Sequence, residues 1–191
     1  MPDYFKNGLR LVLRGVRSRL SMHFQQQSSE QVCARIKQLE PYRYAKRIAL
    51  YHAIEGEINL DNLWRSAPLQ GKFCYFPALT ADKTLVFLPA TPATSFRKNH
   101  YDIPEPDVDF SLAISINEID IIFLPLVAFD THGTRLGMGA GYYDRTLAQQ
   151  KPNLLIGVAY DFQRQSVIKP NEWDITLQAI VTPNQIYWST P

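Results

Sequence analysis

Three glycines two apart, Gly137, Gly139 and Gly141, stand in the stretch Asp130-Thr-His-Gly-Thr-Arg-Leu-Gly-Met-Gly-Ala-Gly-Tyr-Tyr-Asp144. Glycine admits positive φ and lets a ligand approach the backbone amides closely. Consecutive N–H groups just before a helix form an anion site, which the helix dipole strengthens. Arg135, ahead of the glycines, is a planar, bidentate phosphate partner. Asp144, behind them, can hold a magnesium ion beside such phosphates. Together these residues read as a triphosphate cradle.

The loop is not a P-loop, because no Gly-Lys-Ser/Thr follows it. It misses the dinucleotide fingerprint by one place, since Tyr142 occupies the position of the third glycine. Asp161 lies about 20 residues on, where the ribose-binding acid of that fingerprint belongs. A nicotinamide-dependent oxidoreductase is therefore a rival reading. Lys6, Arg10, Arg14, Arg17 and Arg19 form a basic series without an intervening acid. This is a solvated basic face, a phosphate or polyglutamate contact, or, in a non-enzymatic reading, an RNA-binding arm. His23, His52, His100 and His132 have no zinc-ligand spacing. Cys33 and Cys74 sit in apolar runs and read as core. Glu57 either faces a ligand at the end of a strand or sits in the first turn of the next helix, where a carboxylate suits the dipole.

Elements must position these groups. Leu9, Val12, Leu13, Val16 and Leu20 predict one apolar face of a helix over 4–20. A second helix is expected over 29–40, capped by Ser28 or Ser29, and a third over 58–69. Strands are expected at 47–51, 71–77, 84–89, 119–129, 154–159 and 179–182, with a possible edge at 185–188. A helix over 141–150 should leave the glycine loop. Residues 89–109 show no periodicity and carry Pro89, Pro92, Pro104 and Pro106 with Phe96, His100 and Tyr101. A structureless loop of that length is uncommon, so it either closes over a ligand or is a surface excursion. Strands alternating with helices predict an α/β fold, a three-layer sandwich with a central, mostly parallel mixed sheet flanked by helices.

At 191 residues the chain is expected to be a single domain over 1–191. Its net charge of +2 is too weak to imply a nucleic-acid partner by itself. No apolar run approaches the roughly 18 residues of a membrane span. The expectation is a soluble, cytoplasmic monomer.

The segments Pro125–Asp130 and Gly133–Arg145 closely resemble the signature of 5-formyltetrahydrofolate cyclo-ligases, also called methenyltetrahydrofolate synthetases. Further segments are similar in order: Lys6 to Ser21 to the family's basic first helix, Gly56-Glu57-Ile58 to its substrate segment, and Ile103-Pro-Glu-Pro106 to its Ile-x-Glu-Pro loop. Gln163, Glu172-Trp-Asp174 and Val181-Thr-Pro183 resemble its C-terminal end. The resemblance implies ATP as co-substrate, magnesium, and conversion of 5-formyltetrahydrofolate, with or without a polyglutamate tail, to 5,10-methenyltetrahydrofolate. It assigns ATP binding to Lys6, Arg10, Arg135, Leu136, Gly137, Met138, Gly139, Ala140, Gly141, Tyr142 and Tyr143. Arg135 and Tyr143 would be catalytic. His52, Glu57 and Tyr142 would face the folate, and Asp144 and Asp174 would hold magnesium. Arg14 and Arg17 would assist the phosphates or the glutamate tail. Several positions depart from the common pattern: Ala140 and Asp102 stand where glycine is frequent, Gln178 where aspartate is, and Trp173 where histidine is.

Overall fold

A computed structural model describes residues 3–148, 150 and 152–189. Its centre is a seven-stranded sheet. The strands are β1 (Arg47–Ala49), β2 (Phe73–Leu79), β3 (Leu85–Pro89), β6 (Ile121–Pro125), β9 (Leu155–Val158), β10 (Ala179–Val181) and β11 (Ile186–Trp188). Two small hairpins complete the set: β4 (Phe96–Lys98) with β5 (Pro104–Pro106), and β7 (Ala128–Phe129) with β8 (Arg135–Leu136). The order across the sheet is β11-β10-β9-β6-β1-β2-β3. The four inner pairings are parallel, and the two edge pairings, β10–β11 and β2–β3, are antiparallel. The mostly parallel mixed sheet is thus as the sequence predicts.

Both faces of β6 are covered, which explains its unbroken apolar run. Successive side chains alternate. Ile121 and Phe123 join a core with Val32, Cys33, Ile36, Tyr42 and Leu63. Those residues come from α2 (Met22–Gln38), α3 (Glu40–Tyr44) and α4 (Asp61–Ser66). Ile122 and Leu124 join the opposite core with Leu147 of α5 (Tyr142–Ala148), Ile116, Phe129 and Leu177. Helix α1 (Tyr4–Arg17) lies over β7 at the end of the sheet.

Several elements differ from expectation. Helix α2 begins at Met22 because Ser21 caps it, accepting from the Phe24 N–H. Ser28 and Ser29, the expected caps, are buried within it; the Ser29 hydroxyl donates to the Gln25 carbonyl. Helix α4 begins only at Asp61, so Glu57 lies outside it. The 89–109 segment is not structureless: β4 and β5 pair within it. Val12 and Val16 do not face the core and are exposed, whereas Leu13 is buried. Residue 149 of the expected 141–150 helix lies outside the described residues.

Asp102 turns the β4–β5 hairpin with φ 59°. Left-handed backbone is disfavoured for side chains with a Cβ, and worst for β-branched ones, while aspartate tolerates it. Asp102→Val is therefore expected to cost about 1–2 kcal/mol, whereas Asp102→Gly should be neutral or stabilising, as urea denaturation of each variant will show. Ala140 is not among the positive-φ residues, so the glycine frequent at its position is not required by the backbone.

Candidate active site

The connections from β1 and β6 diverge. The chain leaves β1 toward β2 on one side, and leaves β6 through α5 toward β9 on the other. In open α/β sheets such a switch point, at the carboxyl ends of the strands, is where ligands bind. A cleft of about 660 Å³ opens there. Tyr51 and His52 line it just beyond β1, Pro125 at the end of β6, and Pro77 and Leu79 on β2. The glycine loop from Leu136 to Gly141 forms one wall, and Lys6, Arg10 and Arg14 of α1 extend it. The residues singled out from the sequence for ATP, folate and metal line this one cleft together with Arg14, whereas Arg17 does not line it.

The glycine loop is built from the β7–β8 hairpin. Buried Asp130 organises its turn, accepting from the N–H groups of His132 and Thr134 at 3.0 Å each and of Ile168 at 2.9 Å. Gly133 (φ 85°) must be glycine, because a Cβ there would collide with the Leu177 carbonyl. Beyond β8, the Arg10 guanidinium packs on Gly139 (φ 105°), with 3.6 Å between its Nε and the place of a Cβ. The same Nε–H donates to the Gly137 carbonyl at 2.9 Å. Helix α1 therefore fixes the loop's shape as well as lending charge.

Arg135 is buried, and its fork is spent on protein. One Nη donates to the Ile175 carbonyl at 2.7 Å and the other to Asp144 Oδ1 at 2.6 Å. Asp144 Oδ1 also accepts from the Ile175 N–H at 3.2 Å. Arginine thus locks the first turn of α5 to the 171–175 turn, a role its sequence position does not reveal. Lys6, also buried, places its Nζ 3.6 Å from Asp174 Oδ2. That oxygen accepts from Asn171 N and Nδ2 at 2.8 and 3.1 Å. Among the described residues, Asp144 Oδ2 and Asp174 Oδ1 have no protein donor. Magnesium takes one or two carboxylates and completes its octahedron with waters and phosphate oxygens. These two carboxylates on one cleft fit that demand. No group of three His, Cys, Asp or Glu side chains forms among the described residues, and this ion needs none.

Glu57 forms the floor. Tyr51 Oη donates to the Ile58 carbonyl at 2.7 Å and Tyr160 Oη to the Gly56 carbonyl at 2.9 Å, pinning the segment. Glu57 Oε2 accepts from the Ile54 N–H at 3.1 Å. Burial raises its carboxyl to about 7, even with the Arg17 guanidinium 3.4 Å away pulling it down. Arg17 is itself buried; its Nε–H donates to the Glu55 carbonyl at 2.9 Å. Arg14 pairs bidentately with Glu55 at 2.8 and 2.9 Å. Arg14 and Arg17 are therefore not a free basic face, and Arg17 is a counter-ion to Glu57. Tyr143 is half-buried beside Glu57, with its phenol pushed well up by desolvation and then by that carboxyl.

His52 stacks on Phe76 at 4.6 Å and meets Phe96 of β4 edge-on at 4.7 Å, with Trp64 at 6.1 Å. Burial lowers the imidazole's basicity, against the opposing pull of Asp61. Phe96 roots the hairpin, and the Tyr101 hydroxyl meets that of Tyr142 at 3.1 Å across the cleft mouth. Glu105 of the same hairpin is buried, accepting from Leu79 N at 2.9 Å and Asn99 Nδ2 at 2.7 Å. Tyr101, Asn99 and Ile103 line the cleft, which favours closure over a ligand for this segment. Sequence reasoning misses Asn99, whose one local signal is its place in an aperiodic, proline-rich stretch.

Cys33 and Cys74 are core residues, as expected, with thiols raised by burial to about 11 and about 12. Asp161, the candidate ribose acid, does not line the cleft: its carboxylate accepts from Thr182 Oγ1 at 2.6 Å and Asn184 Nδ2 at 3.0 Å.

The model of the 5-formyltetrahydrofolate cyclo-ligase family matches residues 3–183. The chain belongs to that family. The cyclo-ligase match spans both ends of the cleft, α1 and the 171–175 turn. A Haemophilus influenzae 5-formyltetrahydrofolate cyclo-ligase is 38% identical over 173 residues, covering 88% of this chain and 92% of that protein. The Escherichia coli K12 protein of the same name is 34% identical over 184 residues, covering 92% and 99%. The NMR structure of Aquifex aeolicus 5,10-methenyltetrahydrofolate synthetase superimposes with TM-score 0.86 at 32% identity, covering 97% of this chain and 93% of that one. The Mycoplasma pneumoniae synthetase structure gives 0.76 at 26% identity, covering 93% and 98%. Membership of the cyclo-ligase family displaces the nicotinamide and RNA-binding readings. No helix among the described residues is long and apolar enough to cross a membrane.

Proposed function

We propose that the protein cyclises 5-formyltetrahydrofolate to 5,10-methenyltetrahydrofolate with ATP and magnesium. The observation that carries this reading is the single cleft joining the glycine loop, the α1 cations and Glu57 in a chain of this family. The formyl oxygen on N5 attacks the γ-phosphorus, and ADP leaves. N10 then attacks the activated formyl carbon. The C–O bond breaks, inorganic phosphate departs with its electron pair, and the N10 proton passes to solvent. Such chemistry demands in-line positioning and charge neutralisation rather than a covalent nucleophile.

The chain's groups suit those tasks. Lys6, Arg10 and the amides of the Leu136–Tyr143 loop would hold the triphosphate. Asp144 and Asp174 would hold magnesium, whose positive charge would neutralise the phosphate oxygens. Glu57 would accept from the donor edge of the pterin, and His52 would give it an apolar, uncharged flank. Tyr142 would cover the ring or its linker with Tyr101. Arg135 and Tyr143 would act beside the transferred phosphoryl group, Arg135 by holding Asp144. The test is direct: purified protein with 5-formyltetrahydrofolate, ATP and magnesium should develop methenyl absorbance, and no ATP-dependent product would refute the proposal.

The hydroxyl bridge at the cleft mouth yields a milder prediction. Tyr101→Phe removes the contact to Tyr142 but keeps the rings at 6.0 Å. An exposed hydrogen bond contributes about 0.5–1.5 kcal/mol. The KM for the folate should rise by roughly two- to tenfold with kcat unchanged, which steady-state kinetics will read.

A further inference from the structure

The partners of α1 order the cleft from end to end. Arg17 meets Glu57 at 3.4 Å, and Arg14 pairs with Glu55. Arg10 donates to the Gly137 carbonyl, and Lys6 reaches Asp174 at 3.6 Å. At 1.5 Å per residue, Lys6 and Arg17 lie roughly 16 Å apart along the helix. Glu57 therefore marks one end, the glycine loop the middle, and the 171–175 turn the other end. At that other end stands Trp173, which lines the cleft and is 66% exposed. A single exposed apolar side chain is ordinary on a protein surface. Trp188 on the edge strand β11 is such a case, because it does not line the cleft. Trp173 differs because it borders the cleft beside Asp174, in a turn pinned on both sides. The Asp174 N–H donates to the Asn171 carbonyl at 3.1 Å, and Asp174 Oδ2 accepts from Asn171 N and Nδ2. Ile175 is held through its carbonyl by Arg135 and through its N–H by Asp144. Among the described residues, no other ring and no cation packs on the indole.

We propose that Trp173 is the platform on which the adenine ring of ATP stacks, an inference that rests on ATP being the co-substrate. The γ-phosphorus has to face the formyl oxygen of a pterin held at Glu57. The triphosphate then runs along the glycine loop, and the nucleoside leaves it toward Lys6 and the 171–175 turn. The base arrives at the indole, with one face on the ring and the other toward solvent. An indole gives a purine a large flat π-surface and fixes only two χ angles in doing so. A turn already tied at Asn171, Asp174 and Ile175 lowers the ordering cost further. Every base has a π-face, so the contact holds the base without reading its edge. The stack is remote from the transferred phosphoryl group and equal in the ground and transition states. It therefore acts on the KM for ATP and leaves kcat alone. Trp173 thus makes the site prefer a nucleoside triphosphate to a bare triphosphate.

Steady-state kinetics and tryptophan fluorescence test the proposal. Trp173→Ala should raise the KM for ATP roughly five- to a hundredfold, the range of one base–aromatic stack. Its kcat and its KM for the folate should stay within about twofold of wild type. Trp173→Phe should keep most of the affinity for ATP, and Trp173→His, with a smaller ring, less of it. Magnesium tripolyphosphate carries no base and should inhibit wild type and Trp173→Ala alike. Magnesium ADP should quench the wild-type emission, and the quenching should disappear in Trp173→Phe. A KM for ATP in Trp173→Ala within about twofold of wild type overturns the proposal. So does undiminished quenching in Trp173→Phe. A loss of affinity shared equally by tripolyphosphate also overturns it, because it would place the indole's effect on the phosphates and metal at Asp174. A wild type that forms no ATP-dependent product sinks the cyclo-ligase reading instead, and the ADP quenching then still decides on the stack.

Discussion

Replacing Arg135 with alanine should lower kcat by at least tenfold, and on the order of 10²-fold if its hold on Asp144 carries the metal site. The guanidinium is buried and ties together two pieces of chain that the sequence separates by 31 residues: the Ile175 carbonyl and Asp144. Alanine leaves that carbonyl without the guanidinium donor and leaves the Asp144 carboxylate, a side chain 23% exposed, with only the Ile175 N–H. Breaking a buried pair on one side costs about 3–5 kcal/mol when both members are fully buried, and less here because Asp144 meets solvent. A loss of about 2 kcal/mol of stability should therefore accompany the kinetic defect. Arg135→Lys separates the two effects. It keeps a cation beside Asp144 but cannot reach both partners with a planar fork. It should recover most of the stability and little of the rate. Urea denaturation and magnesium titration of kcat for both variants check this. Wild-type kinetics in Arg135→Ala would remove the residue from the mechanism.

What the sequence disclosed and what it hid follow from the range of the interactions. The glycine loop was legible because glycine spacing is a local backbone property. Strand β6 was legible because both its faces are covered, so every residue is apolar. The start of α2 was hidden: Gln25-Gln-Gln-Ser-Ser29 looks like a loop, and the helix holds because Val32, Cys33 and Ile36 further along are buried. The split of the 119–129 run into β6 and β7 was hidden too. Its residues are apolar throughout, and the break is set by pairing of Ala128 and Phe129 with β8. Among five similar basic residues, composition could not say that Arg17 turns inward to Glu57 while Arg14 meets Glu55. Nor could it show that Val12 and Val16, at the same helical period as Leu13, face outward. Those facts depend on where α1 docks, and only tertiary contacts fix that. The cleft's residue list was readable through resemblance; the pairing within it was not.

Glu57→Gln should lower kcat/KM by about 10²-fold or more and flatten the protein's pH–stability curve, two effects of one buried carboxyl. Its ordinary value of 4.5 is raised to about 7, first by burial, against which Arg17 pulls down. A carboxyl whose folded value is raised favours the folded state fully only below its unfolded value. That contribution is lost as pH rises from about 4.5 through about 7. The two values differ by enough to make the loss roughly 3 kcal/mol at about 1.4 kcal/mol per unit. Glutamine does not titrate, so the variant's stability should fall less between pH 5 and pH 8. Function runs the opposite way. Only the ionised carboxylate can accept two hydrogen bonds from the pterin's donor edge, and an amide turns one donor against another. An unpaired buried donor costs about 1–3 kcal/mol, more beside charge. In the wild type, kcat/KM for the folate should therefore rise with pH through about 7 and level above it. In Glu57→Gln the residual activity should show no such limb. The two measurements are kcat/KM against pH and urea midpoints against pH. A wild-type rate profile flat from pH 6 to 8, or an unchanged stability slope in the variant, would show that Glu57 stays ionised in the folded protein and is not the titrating group on the cleft floor.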